Sequence, residues 1–101
     1  MNIKISMQTR DKSAYADGIY DGEHTIVKAG GRISSQFHGS EAVRALRNDP
    51  NHVDGNGNIL MDCEFNSPST AAQFVNGNIS NGLRVWKANG ETLGQYLKDH
   101  E

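Results

Sequence analysis

With 101 residues, of which 36% are hydrophobic, 22% charged and 7% aromatic, the chain has the composition of one small soluble globular domain rather than of a disordered tail. Ten Lys and Arg against twelve Asp and Glu leave a net charge of -2, which excludes whole-molecule attraction to nucleic acid or anionic membrane and confines any anion binding to a local patch. A chain of this length buries roughly 65% of its unfolded surface, enough for one core but not for a core plus a roomy catalytic pocket.

Between Asn2 and Met7, Ile3 and Ile5 alternate with Lys4 and Ser6, the period of a short half-buried strand suited to a sheet edge. A second β unit begins near Ala14, turns at Asp21-Gly22 and returns through His24 to Ala29, because glycine accepts the positive φ of a tight hairpin. Gly30-Gly31 ends that strand, and Arg32 to Ser40 has the irregular composition of a loop. Glu41 to Asn48, closed by Pro50, places Ala42, Val43, Ala45 and Leu46 on one side of a short helix and Arg44 and Arg47 near the other. Residues 48–58, with Pro50, Asp54, Gly55 and Gly57, are expected to form a flexible loop.

From Ile59 to Phe65 the alternation predicts a strand with Ile59, Met61, Cys63 and Phe65 on its apolar face. A helix starts at Ser67-Pro68, where the serine serves as N-cap and proline fits the first helical position; Ala71, Phe74 and Val75 form its core stripe and Asn76-Gly77 stops it. Leu83 to Ala88 reads as a strand, Asn89-Gly90 as a turn, and Thr92 to His100 as a terminal helix with Leu93, Tyr96 and Leu97 inward. The expected fold is a small single α+β domain over residues 1–101, with a mostly antiparallel sheet and about three short helices.

Catalytic constellations are sparse. Gly18-Ile19-Tyr20 spells half of the GIY-YIG nuclease signature, but the second half is missing and a strand entering a turn explains the triplet. His24, His38, His52 and His100 lack metal-ligand spacing, and Cys63, alone and on an apolar strand face, reads as a small core hydrophobe. No G-x-S-x-G elbow surrounds Ser67 or Ser69. The expectation is a non-enzyme with no metal and no cofactor. No segment approaches the length of a membrane span, Met1 to Arg10 lacks the apolar centre of a leader, and a lone cysteine suits a reducing compartment; a cytoplasmic monomer without membrane contact is expected.

Anion-binding features remain. Lys28 to Arg47 holds Lys28, Arg32, Arg44 and Arg47 against Glu41 alone, whereas residues 48–81 carry four acids and no Lys or Arg, so the first segment would form a basic side if it shared one surface. The helix start at Ser67, with the hydroxyls of Ser69 and Thr70, could orient a phosphate. Arg84, Trp86 and Lys87 combine cations with a ring able to stack on a base, although tryptophan's high average burial makes a core role the competing expectation.

The run Phe65-Asn66-Ser67-Pro68-Ser69-Thr70-Ala71-Ala72, then Gly77 to Gly82 ending in Asn81-Gly82, then Trp86-Lys87 and Gly90-Glu91-Thr92-Leu93, resembles the uncharacterised domain found C-terminal to GIY-YIG nucleases and beside restriction subunits. That domain is itself similar to the RAMA (restriction enzyme adenine methylase associated) domain. Ala16-Asp17-Gly18 with Tyr20, and Ile26 to Gly30, match its glycine-containing hairpin more loosely, and Leu83 stands where an aromatic often follows Asn-Gly. The resemblance implies a non-catalytic module accompanying DNA-modifying or DNA-cutting enzymes in bacteria or phage, one that binds DNA or senses a modified base. Lys28, Arg32, Arg44, Arg84 and Lys87 would then contact phosphates, Ser67, Ser69 and Thr70 would orient one phosphate, and Asn81 with Trp86 would read a base. The alternative is a protein-interaction domain that docks a nuclease or methylase subunit through Tyr15, Tyr20 and Trp86.

Overall fold

In the computed structural model, which describes residues 2–100, six strands form one antiparallel sheet and four helices lie on one of its faces. The strands are β1 (Ile3–Gln8), β2 (Tyr15–Tyr20), β3 (Thr25–Val27), β4 (Cys63–Phe65), β5 (Lys87–Ala88) and β6 (Glu91–Thr92), in the spatial order β4-β3-β2-β1-β5-β6. The helices are α1 (Glu41–Arg47), α2 (Pro68–Asn76), α3 (Gly82–Val85) and α4 (Leu93–Asp99). The α+β class and antiparallel sheet expected from the sequence are therefore observed, with one helix more than anticipated.

Alternation explains the sheet. Ile3, Ile5 and Met7 of β1 point to the helices while Lys4, Ser6 and Gln8 point to solvent, and the register sets Ile5 opposite Gly18 and Met7 opposite Ala16. With β2 on one side and β5 on the other, β1 lies inside the sheet, not at its edge as its length suggested. The β1–β2 loop is held by Asp11, whose Oδ1 accepts from the Ser13 N–H at 3.0 Å and from the Thr9 and Ser13 hydroxyls at 2.8 Å. At the β2–β3 turn the Asp21 carboxylate accepts from the Glu23 and His24 N–H groups, and Gly22 takes a φ of 103° that side chains avoid.

Three elements depart from the sequence expectation. The anticipated strand Ile59 to Phe65 is regular only over β4, because the Ile59 backbone is engaged earlier, exchanging hydrogen bonds with Gly30 and Gly31, and Leu60 N–H donates to His52. Met61, expected inside, is 45% exposed at the resulting bend. The anticipated strand Leu83 to Ala88 begins instead as α3, since the Asn81 side chain accepts from the Leu83 N–H at 3.0 Å and caps a single helical turn; only β5 remains as strand. In α1, Ala42 and Ala45 are exposed and Arg47 is buried beside Val43 and Leu46, so the helix is rotated relative to the predicted stripe.

Helix α2 matches expectation. Ser67 caps it through the Thr70 N–H at 3.1 Å, Pro68 opens it, and Gly77 closes it in the left-handed conformation with φ 81°. Its Ala71, Ala72, Phe74 and Val75 are buried against the sheet, where the Phe74 and Phe65 rings meet at 5.2 Å between centroids. Asn89 and Gly90, both with positive φ, turn β5 into β6, and Thr92 caps α4. Residues 48–58 are laced by Asp54, which accepts from the Asn56 and Asn58 N–H groups at 2.9 Å, with Val53 tucked into the core.

Candidate nucleic-acid interface

The residues matched in the Ser-Pro-Ser, Asn-Gly and Trp motifs meet in space, but they face inward. Gly82 lies against the first turn of α2: its N–H donates to Ser69 Oγ at 2.9 Å, and a Cβ on it would stand 2.2 Å from the Pro68 carbonyl carbon. Four residues on, the Trp86 indole N–H donates to the Pro68 carbonyl at 2.9 Å. The ring is 0% exposed and reaches across to Gly18 of β2, where a built Cβ would lie 3.5 Å from it and 2.7 Å from the Ile26 carbonyl oxygen. Gly18 is thus a packing residue beneath the tryptophan, which accounts for the glycine of Gly18-Ile19-Tyr20.

This clasp corrects the expectation for Trp86. Trp86 has no face to offer a base, because the whole ring is enclosed by α2 and the sheet. At the α2 start, Ser67 and Thr70 hydrogen-bond each other at 3.0 Å, Ser69 Oγ accepts from the Gly82 N–H, and Asn81 caps α3, so these side chains serve the fold. Neither Asn81 nor Gly82 takes a positive φ, and it is the close approach to Pro68 that requires the glycine.

The cations anticipated from sequence do not share one surface. Arg44 lies on α1, 3.4 Å from Glu41 and with its guanidinium 5.1 Å from the centre of the Phe37 ring. Arg84 is exposed on α3, also in the helix layer. Arg32 pairs its backbone with Tyr15 and donates from Nε to the Asn56 carbonyl at 3.2 Å. Lys28 and Lys87 reach the sheet face that no helix covers, and Arg32, bridged to Tyr15, lies at its margin beside Lys12.

That face is ordered by the register. Lys28 N–H bonds the Asp17 carbonyl, Asp17 stands opposite Ser6, and Ser6 opposite Lys87, so Lys28, Asp17, Ser6 and Lys87 form a row across the strands. Lys4 and Ile19 form the neighbouring row, and Gln8 with Tyr15, which is 44% exposed, the row on the other side. Two open depressions of about 700 Å³ adjoin along Ser6, Asp17 and Lys87; Lys12 and Tyr15 line one and Lys4 and Lys28 the other. Lys28 Nζ is 2.8 Å from Asp62 Oδ2, an ion pair about half exposed; the Lys28 bond, followed by the Ala29 N–H, holds the Asp62 carboxyl below its ordinary value. Sequence reasoning missed Lys4 and Lys12 and assigned Tyr15 to protein docking, although the β1 alternation already assigns Lys4 to the face away from the core.

Elsewhere the chemistry is quiet. Burial, then the nearby Asp62 and Asp49 charges, push the Cys63 thiol up to about 11, so at neutral pH it is a protonated core group rather than a nucleophile. His52 pairs with Asp49 at 2.9 Å, and among the described residues no cluster of three His, Cys, Asp or Glu side chains is arranged to hold a metal ion. No helix among them is long and apolar enough to cross a membrane.

A two-layer α+β domain with a bare, lysine-bearing sheet face is the class that fold and surface define. The family described as a domain of unknown function (DUF4357) matches residues 6–98, and the chain belongs to that family. No curated protein and no solved structure matches it.

Proposed function

We propose that the chain is a non-catalytic DNA-binding or modified-DNA-sensing accessory domain of restriction or defence systems, acting in the cytoplasm of bacteria or on behalf of phage. The observation that carries this proposal is the convergence of Lys4, Lys12, Lys28 and Lys87 beside exposed Tyr15 on the one sheet face without helices. Lysines set across a sheet can neutralise successive phosphates, and an exposed aromatic can take the stacking role that Trp86 does not have. Lys28 is already paired with Asp62, so Lys4, Lys12 and Lys87 are the principal phosphate contacts. The resemblance to RAMA-type domains points the same way, with Tyr15 in place of Trp86 as the base-contacting ring.

Fluorescence anisotropy with unmodified duplex, adenine-methylated duplex and single-stranded DNA tests the proposal. Three phosphate contacts give a slope of log affinity against log salt of about -3. The double substitution Lys4→Glu with Lys87→Glu should abolish binding, and Tyr15→Ala should remove any preference for the methylated duplex. Absence of binding to all three DNAs at low salt, or unchanged binding by the double variant, refutes it. A second reading, docking of a nuclease or methylase subunit, is favoured by Ile79 and Leu83, which are 80% and 40% exposed on the helix side, away from the lysines. Loss of subunit capture by Ile79→Asp with Leu83→Asp, DNA binding being intact, would establish it.

A further inference from the structure

We propose that the corner between α1 and the loop 34–37 is a binding site for a phosphate monoester, seated between Arg44, Arg47 and Asn48. Arg47 is a permanent cation only 8% exposed, and no carboxylate among the described residues pairs with it. Its guanidinium donates to the Ser34 and Gln36 carbonyls and to Ser34 Oγ, while its Nε–H has no partner among the described residues. Neutral oxygens satisfy hydrogen bonds but leave the charge uncompensated, and buried charges ordinarily carry a counter-charge. Both burial and the neighbouring Arg44 disfavour the charged state of Arg47.

A second cation converges on the same place. Arg44 and Arg47 both sit over the Phe37 ring, at 5.1 and 4.7 Å from its centre. The ring holds the two like charges on a common support, and the concavity of about 230 Å³ beside them is lined by Ser34, Ser35, Arg44, Arg47 and Asn48 with no acidic side chain. Glu41, 3.4 Å from Arg44, does not line the concavity; its side chain is 89% exposed and competes weakly. The Ser34 hydroxyl is already donated to the Gln36 carbonyl, but the Arg44 guanidinium, the Asn48 carboxamide and the Ser35 hydroxyl, with the Arg47 charge behind them, suit the three charged oxygens of a phosphate monoester. The volume suits a single phosphate group, and half-exposed Arg44 leaves it open to solvent. The site shares none of its residues with the lysine face, so it stands or falls apart from the DNA-binding proposal.

The test is a titration of isotopically labelled protein with inorganic phosphate at constant ionic strength, read on the Arg44 and Arg47 Nε–H and Asn48 side-chain amide resonances. A saturable shift of all three is expected. Arg44→Gln, at an exposed position that the fold does not need, should weaken it roughly tenfold, the loss of one charge-assisted contact. Asn48→Asp, which puts a negative charge on the lining, should weaken it independently. Oligonucleotides with and without a 5′-phosphate distinguish the sources: tighter binding of the phosphorylated one identifies a strand end, and equal binding identifies free phosphate or a small phosphate ester. No saturable shift, or an affinity unchanged from the parent in both variants, would overturn the proposal.

Discussion

Replacing Gly82 with alanine separates the effect of helix propensity from that of packing. Gly82 is the first residue of α3, and propensity alone would favour alanine by about 0.5–1 kcal/mol. In the fold, however, the added methyl would stand 2.2 Å from the Pro68 carbonyl carbon and 2.4 Å from both its oxygen and the Ser69 nitrogen, all of them backbone atoms. Reaching ordinary contact requires the loop to recede by about 1.2 Å, an overpacking strain of roughly 1–3 kcal/mol. The same movement stretches the hydrogen bonds from Gly82 to Ser69 and from Trp86 to Pro68, each contributing about 1 kcal/mol. The net expectation is destabilisation by about 3 kcal/mol, a fall in melting midpoint of about 12 °C or more for a domain of this size. Trp86 is the single tryptophan, so its fluorescence reports the melt from the site itself. Gly55→Ala, where a Cβ meets nothing within 4 Å, is the control and should be near neutral. An unchanged or raised midpoint for Gly82→Ala would refute the clasp.

Two further outcomes follow from buried and paired groups. Thr25 is 0% exposed and its hydroxyl has no hydrogen-bond partner among the described residues, so Thr25→Val should stabilise the fold by about 1 kcal/mol in urea denaturation, and a loss of stability would show that the hydroxyl is satisfied in solution. The Asp62 carboxyl is held below its ordinary value of 3.8, chiefly by Lys28, so its contribution is present above that pH and is lost as pH falls through the lower folded value. Asp11, Asp21, Asp49 and Asp54, lowered by backbone or side-chain hydrogen bonds, act in the same direction. Stability should therefore decline as pH falls below about 4, with a shallower decline in Asp62→Asn; identical acid profiles for that variant and the parent would remove the Lys28 pair from the account.

Local patterns in this sequence report local structure faithfully. Ser67-Pro68 and Gly77 bound α2 because capping is decided within a turn, and the β1 alternation assigns each of its side chains to the right face. What long-range contacts decide was not legible. Ile59 and Met61 alternate like strand residues, yet Ile59 is claimed by Gly30 and Gly31, about thirty positions earlier, and the chain bends before β4. Arg47 looks like a polar-face residue until the loop carbonyls of Ser34 and Gln36 draw it inward. The same holds for the candidate site: residue type nominated Trp86, but the Pro68 carbonyl and Gly18 fix it in the core, whereas Lys4 and Tyr15 become neighbours of Lys87 only through strand order.

The sheet is widest in its middle. β1 and β2 run six residues each, while the two outer strands, β4 and β6, have only three and two. An outer strand that short exposes few unpaired N–H and C=O groups and gives another chain almost nothing to add to, so self-assembly by strand addition is suppressed at both margins. The broad centre stays bare without becoming a seed for fibrils, and a small domain can keep one side of its sheet permanently available.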